Sequence, residues 1–340
     1  MPSWNQILDK LNSLHDPLKQ DIWVKKTIKE TFSAISKLRS DRNVIFYSSA
    51  YMQKPGINPY VVQINPEDMN GFMTNIHGLT CEKGLTLILH TPGGITNAAE
   101  TIIDYLHRKF DYIEVIIPTF AMSAGTMISL CSHKIIMGRQ SQMGPIDPQL
   151  PVNGNRYASA LSIRNQFLRA QNEILENKDN AHVWAPILPS LGPALLQEAE
   201  NAISYGEDLV KQRLMTTMFK GNPDAEKIAS TAANYFSQCE KNTSHGRRIN
   251  RDEARSQGII IEDLEDDQNL QESVMTLYHL ITVLFEKTPA AKIIANSNGN
   301  NWVKNVSMPN QMQQIIPQNI RKPGDNQFRK PGFNQQHRRR

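Results

Sequence analysis

Between residues 43 and 138 the chain repeats one unit: a short, almost uninterrupted apolar run, then a stretch with apolar residues at helical spacing. The runs are "NVIFYSS" (43–49), "LTLILH" (85–90), "YIEVIIP" (112–118) and "HKIIMG" (133–138). Helices are predicted over "PEDMNGFMTNIHGL", "TNAAETIIDYLHRKF" and "SAGTMISLCS". A strand that is apolar on both sides must be covered on both sides, and a helix between two strands makes them parallel. The pattern therefore restricts the fold to α/β, a parallel sheet between two layers of helices. A further short strand is expected at "YVVQI" (60–64).

On either side of this alternation the patterning changes. Trp4, Ile7, Leu8 and Leu11, then Ile22, Ile28, Phe32 and Ile35, give residues 1–40 the spacing of a helical lead-in, packed on the body or on a second subunit. After "MGPIDPQLP" the chain becomes mostly helical, and "INRDEARSQGIIIEDLEDD" supplies one more helix with Gly258 at its C′ position, an apolar run and a last helix to about Lys287. The main domain is thus expected over 41–288, and a disordered basic tail over 289–340, rich in Asn, Gln, Pro, Gly and Arg from Asn296 on.

Charge has to be read by segment. Residues 296–340 hold eight Lys and Arg against the single acid Asp325, a net +7, so within a total of +4 the rest of the chain is −3. A basic tail of this kind offers a surface to nucleic acid or to an acidic partner, although aromatics that could stack on bases are few, with Phe328 and Phe333 the ones beyond Trp302. No run reaches the roughly 18 apolar residues of a membrane span, and residues 1–20 lack the succession of a signal peptide, so a cytoplasmic location is expected. Cys81, Cys131 and Cys239 are odd in number and widely spaced, which supports neither a disulfide framework nor a zinc site. With no His-Glu-x-x-His spacing, no P-loop and no complete dinucleotide fingerprint, neither a metal nor a cofactor is expected.

The chemistry is expected at the carboxyl edge of the sheet, where loops and helix N-termini converge with free N–H groups. "HTPGG" (90–94) ends one strand, and "AMSAG" (121–125) follows the next. Gly93 and Gly94 let backbone amides approach a ligand without a Cβ in the way. Ser123 starts a helix between small neighbours, so its hydroxyl, with the amides of Gly93 or Gly94 and of Ala124, provides the parts a tetrahedral acyl intermediate requires. Alternatively Ser123 is simply an N-cap. "MGPIDPQ" (143–149) adds a third loop at the same edge and brings Asp147 to it, either to orient a base or to cap its turn. His90 is a candidate general base because it closes the strand before the glycine turn; its alternative is to hold that turn. Lys178 and Lys211 would need burial to serve as bases, and His182 could line a substrate groove.

"LTLILHTPGG", "VIIPTFAMSAGTMISL", "KIIMGRQSQMGPIDPQ" and "GRRINRDEARSQGIIIEDL" resemble the successive motifs of the Clp-peptidase and signal-peptide-peptidase class of serine peptidases, and more closely those of the serine dehydrogenase proteinase family. The resemblance covers roughly residues 35–285. It implies a crotonase-like, Clp-peptidase-like fold of stacked βαβ units, a homo-oligomer, a polypeptide substrate, Ser123 as nucleophile, and an oxyanion hole from the Gly93/Gly94 turn with Ala124. The sequence departs from that class at the base. Where Clp peptidases carry the catalytic histidine stands "MGPIDPQ" with Asp147, and their acidic residue falls near Gly246, beside His245. Where the signal-peptide-peptidase class carries a lysine stand Arg164 and Glu173, with Lys178 slightly beyond. The expected function is a serine endopeptidase; the alternatives are a catalytically inactive scaffold with a basic tail and an acyl-CoA enzyme of the crotonase type.

Overall fold

In the computed structural model, which describes residues 3–152, 156–188, 192, 194–238 and 246–306, the apolar runs become the centre of one seven-stranded sheet. In chain order the elements are α1 (Trp4–Ser13), α2 (Pro17–Leu38), β1 (Asn43–Ser49), α3 (Pro59–Val62), α4 (Asp68–Ile76), β2 (Leu85–His90), α5 (Thr96–Lys109), β3 (Ile113–Ile117), β4 (Phe120–Ala121), α6 (Ala124–Leu130), β5 (Lys134–Met137) and β6 (Gln142–Met143). There follow β7 (Gln149–Val152), β8 (Arg156–Ser159), α7 (Ala160–Glu176), α8 (Ala181–Trp184), α9 (Leu195–Thr216), α10 (Ala225–Gln238), β9 (Ile249–Asn250), α11 (Arg251–Ser256), β10 (Ile261–Asp263), α12 (Gln268–Lys287), β11 (Ala290–Asn296) and β12 (Asn301–Asn305). The strand order is β10-β5-β3-β2-β1-β11-β12, parallel from β10 to β1 and antiparallel beyond it.

The register explains why the strands are apolar throughout. Ile45, Leu87, Val115 and Ile135 lie side by side and face the core shared with α5, α6, α9 and α10; their neighbours Phe46, Ile88, Ile116 and Ile136 face the opposite core, made with α2 and α12. Each of these side chains is fully buried, a contribution of about 1.5–3 kcal/mol apiece. The lead-in packs on the body: Ile7, Leu11 and Val24 close against Leu280 and Val283 of α12.

Two expectations are corrected. "YVVQI" is not a strand, because Asn58 caps the Tyr60 amide and Pro59 sits in the first turn, which starts a helical turn despite the β-branched residues. Only Ile64 pairs, in a single parallel bridge to Gly94. The tail does not begin at 289: Ala290–Asn296 pairs antiparallel with β1 and returns through a turn to β12. Here the short apolar run "AAKIIAN", buried along its whole length, outweighs the polar composition that follows it. The expected disorder from 307 on lies outside the described residues, as does any tail contact with nucleic acid or an acidic partner.

Candidate active site

β2 carries Thr91 beyond its end into a bridge with Ala121, through Thr91 N–H to Phe120 O (2.9 Å) and Met122 N–H to Thr91 O (3.1 Å). This lays Pro92-Gly93-Gly94 directly against Met122-Ser123-Ala124. Gly93 has φ +99°, and a Cβ there would stand 2.7 Å from Ser123 Cβ. At Gly94 (φ +157°) a Cβ would run into the backbone of Ile64. Glycine is therefore required at both positions, one for the approach to Ser123 and one for the approach to Ile64.

Ser123 occupies the N-cap position of α6, but its hydroxyl makes no capping hydrogen bond. Its backbone sits at φ 49°, ψ −115°, a conformation that costs a residue with a Cβ about 1–3 kcal/mol. The simple N-cap alternative is thus not what the geometry displays; the serine is held strained at a strand-to-helix turn with its hydroxyl uncommitted among the described residues. Among the described residues, neither the Gly94 amide nor the Ala124 amide donates to a backbone or side-chain acceptor, whereas the Gly93 amide donates to Thr91 Oγ1 at 3.2 Å. The arrangement therefore presents one hydroxyl and two uncommitted amides, the requirements for attack on a carbonyl and stabilisation of the oxyanion.

The "GPIDP" loop closes over this point. Gly144 lies against Met122 and the Ser123 amide, and Thr126 ties the loop to α6 by donating to Ala121 O (2.8 Å) and accepting from Gly144 N–H (2.9 Å). Asp147, three residues along, is fully buried, with Gln149 Nε2 at 3.5 Å from its carboxylate. Its neighbour Ile146 packs in the same core as α6.

His90 goes elsewhere. It follows Ile88 onto the α12 side of the sheet, where its ring lies 5.0 Å from that of Tyr278 and 5.2 Å from that of Tyr51, and its Nδ1 pairs with Thr119 Oγ1 at 2.8 Å. Burial drives this imidazole down to about 3, so it is neutral at ordinary pH, and its Nε2 has no hydrogen-bond partner among the described residues. Ser123 and His90 are not brought together. Lys178 and His182 are exposed on the turn after α7 and on α8, and Lys211 pairs with Glu226 between α9 and α10 at 3.1 Å. Arg164 donates to Gln238 at 2.8 Å, Glu173 accepts from Arg169 and Trp184, and His245 lies outside the described residues. Among the described residues no group of three His, Cys, Asp or Glu could hold a metal ion, and no helix is long and apolar enough to cross a membrane.

Some residues that shape the site were not singled out in the sequence. Ile64 takes two backbone groups that flank the Gly94 amide, accepting from Ile95 N–H (2.9 Å) and donating to Gly93 O (2.7 Å). Behind Ile64 stands a buried pair, Asp68 and Lys292, at 2.7 Å. The available signal was Lys292 itself, one lysine inside an apolar run.

Two uncharacterized proteins of Methanocaldococcus jannaschii are similar to the chain: one is 28% identical over 223 residues, 64% of this chain and 65% of that protein, and the other 38% identical over 89 residues, 26% of each. Among solved structures, two mutant forms of the 1510-N membrane-bound stomatin-specific protease are found. The first matches with TM-score 0.35 and 19% identity over 61% of this chain and 77% of that one. The second, in complex with a substrate peptide, gives 0.31 and 18% over 68% and 80%. Residues 20–183 match the family described as ClpP-like SDH-type serine proteinase. This segment holds Ser123 and the Gly93–Gly94 turn, and over it the chain is similar to the ClpP-like SDH-type serine proteinases.

Proposed function

We propose that the chain is a serine endopeptidase acting through Ser123. The observation that carries the reading is the uncommitted hydroxyl of a strained Ser123 set against two uncommitted amides, those of Gly94 and Ala124. Ser123 Oγ attacks the peptide carbonyl carbon and gives up its proton; the carbonyl oxygen takes the negative charge and is stabilised by the two amides. The C–N bond then breaks, the departing amine takes the proton, and water hydrolyses the acyl-enzyme and restores Ser123. Gly93 serves by close approach, since its own amide is engaged by Thr91. Asp147 stands on the loop that covers Ser123, and the reading gives it the orienting role towards the group that accepts the proton. His90, neutral and turned to the other core, is assigned to holding Thr119 and the end of β2. The setting that fits this reading is a homo-oligomer acting on polypeptides, as the family resemblance implies, in the cytoplasmic location expected from the sequence.

The test is labelling of the purified chain with a fluorophosphonate probe, followed by mass spectrometry. Labelling confined to Ser123, and lost in Ser123→Ala, supports the peptidase. A folded chain that is never labelled supports the inactive scaffold instead, and acyl-CoA binding without labelling supports the crotonase-type alternative.

A further inference from the structure

The Lys292 and Asp68 side chains are 1% and 0% exposed, and their hydrogen bonds go to residues other than Ser123. A buried ion pair is a poor way to stabilise a fold, because removing two charges from water offsets most of their attraction. What is informative is where the hydrogen bonds of the pair go. Lys292 Nζ donates to Asp68 Oδ1 (2.7 Å) and to Gln63 O (2.8 Å). Asp68 Oδ2 accepts from Asn65 N–H (3.0 Å) and from the Tyr47 hydroxyl (2.9 Å). The carbonyl at one end of the tripeptide Gln63–Asn65 and the amide at its other end are thus held by the same two side chains, and between them Ile64 donates its N–H to Gly93 O.

That last bond fixes an orientation. Gly93 C=O and Gly94 N–H belong to one planar trans peptide unit and point in opposite directions. Drawing the carbonyl towards Ile64 turns the Gly94 N–H away from Ile64. A second route leads to the same turn: the Gly93 amide donates to Thr91 Oγ1, and the Thr91 side chain neighbours Tyr47, which donates to Asp68.

We infer that Lys292 and Asp68 are positioning residues for the oxyanion-stabilising amide of Gly94, acting through the Gln63–Asn65 segment. The inference rests on the peptidase reading only for what that amide does in the reaction; the mechanical claim, that the pair sets the turn, stands apart from it.

The experiment uses the full chain and three variants, Lys292→Met, Asp68→Asn and the double variant, which removes both charges together and so avoids leaving one buried alone. Two readouts are taken. Amide hydrogen exchange is followed at Ile64 and Ile95 and at the paired strands β1 and β2. Fluorophosphonate labelling of Ser123 is resolved into reversible binding of the probe and the rate of the covalent step, in which Ser123 Oγ bonds to phosphorus and fluoride departs.

In the double variant we expect exchange at Ile64 and Ile95 to rise about tenfold or more with β1–β2 protection unchanged. The covalent step should slow about 10²-fold, as for loss of one oxyanion donor, with probe binding unaltered. A change in binding with the covalent step intact, or wild-type exchange together with wild-type labelling, overturns the inference. If the wild-type chain itself is not labelled, the peptidase reading fails. The exchange arm then still decides whether the pair sets the turn: a local rise sustains it, and unchanged protection overturns it.

Discussion

The two ends of the sheet both bury charge, and they use it differently. At the amino ends of the strands, Arg39 from the C-terminus of α2 grips Glu114 with two nitrogens (2.8 and 2.7 Å) and Glu262 with a third (2.7 Å), while Thr86 and Lys134 supply further donors. This network joins a helix to β3 and to the edge strand β10, and each carboxylate has more than one partner. At the carboxyl ends, the buried Lys292–Asp68 pair directs its bonds to one stretch of backbone and to the Tyr47 hydroxyl. Burial pulls that pair towards its neutral forms, lifting Asp68 and lowering Lys292. The amino-end network stitches elements together; the carboxyl-end pair sets the geometry of a turn.

The comparison breaks first at Ser123. Ser123→Ala should abolish fluorophosphonate labelling, a loss of at least about 10³-fold, while stability moves by no more than about 0.5 kcal/mol. Substantial labelling of the variant would place the nucleophile elsewhere. Gly93→Ala comes next: its methyl would meet Met122 O and Ser123 Cβ, so labelling should fall about 10²-fold or more and stability by about 1–3 kcal/mol.

At the amino ends the expectation is reversed. Glu114→Gln leaves Arg39 short of its main partner and should cost about 3 kcal/mol in urea unfolding, with the labelling rate per folded molecule unchanged. A fall in that rate would show that the two ends are coupled.

Acid sharpens the contrast further. Burial tends to raise the carboxyl of Glu262, but hydrogen bonds from Arg39 and Lys134 outweigh it and hold the group below the usual range. A depressed folded-state value means stability that is present above the unfolded value of about 4.3 and lost as pH falls through the folded one. The side chain is partly exposed, so the contribution is about 1 kcal/mol or less. Glu262→Gln should therefore melt below the wild type at pH 7, and the two melting curves should converge below pH about 4; a constant gap would argue against the linkage. Last and smallest, His182→Ala, on an exposed part of α8, should change labelling less than twofold and stability by under about 0.5 kcal/mol.

What could be read in advance followed from how local each feature is. The parallel core was legible because runs such as "LTLILH" and "YIEVIIP" are apolar on both faces, and only a doubly covered sheet accommodates that. Gly93, Gly94 and Ser123 were legible because a backbone that must approach closely needs small residues at fixed places. The side of the sheet on which His90 lands depends on parity within β2, which a sequence motif ending at His90 does not reveal. Ile64 meets Gly94 across a single bridge that leaves no periodicity. Asp68 and Lys292 stand 224 positions apart, and neither has a local pattern that points to the other. β11 was read as tail because its seven residues precede a polar stretch and no helix follows them to mark a βαβ unit.

The position of β11 has a consequence for the order in which the protein is made. Ser123, Gly93, Gly94 and Ala124 are all synthesised in the first half of the chain, whereas the lysine that anchors the wall behind their turn arrives on the strand that joins β1 after α12. A nascent chain still short of β11 holds every atom of the proposed nucleophile and oxyanion pocket without the clamp that aims them. On the proposed reading, the turn beside Ser123 is therefore set only once Lys292 has emerged and its strand has paired with β1.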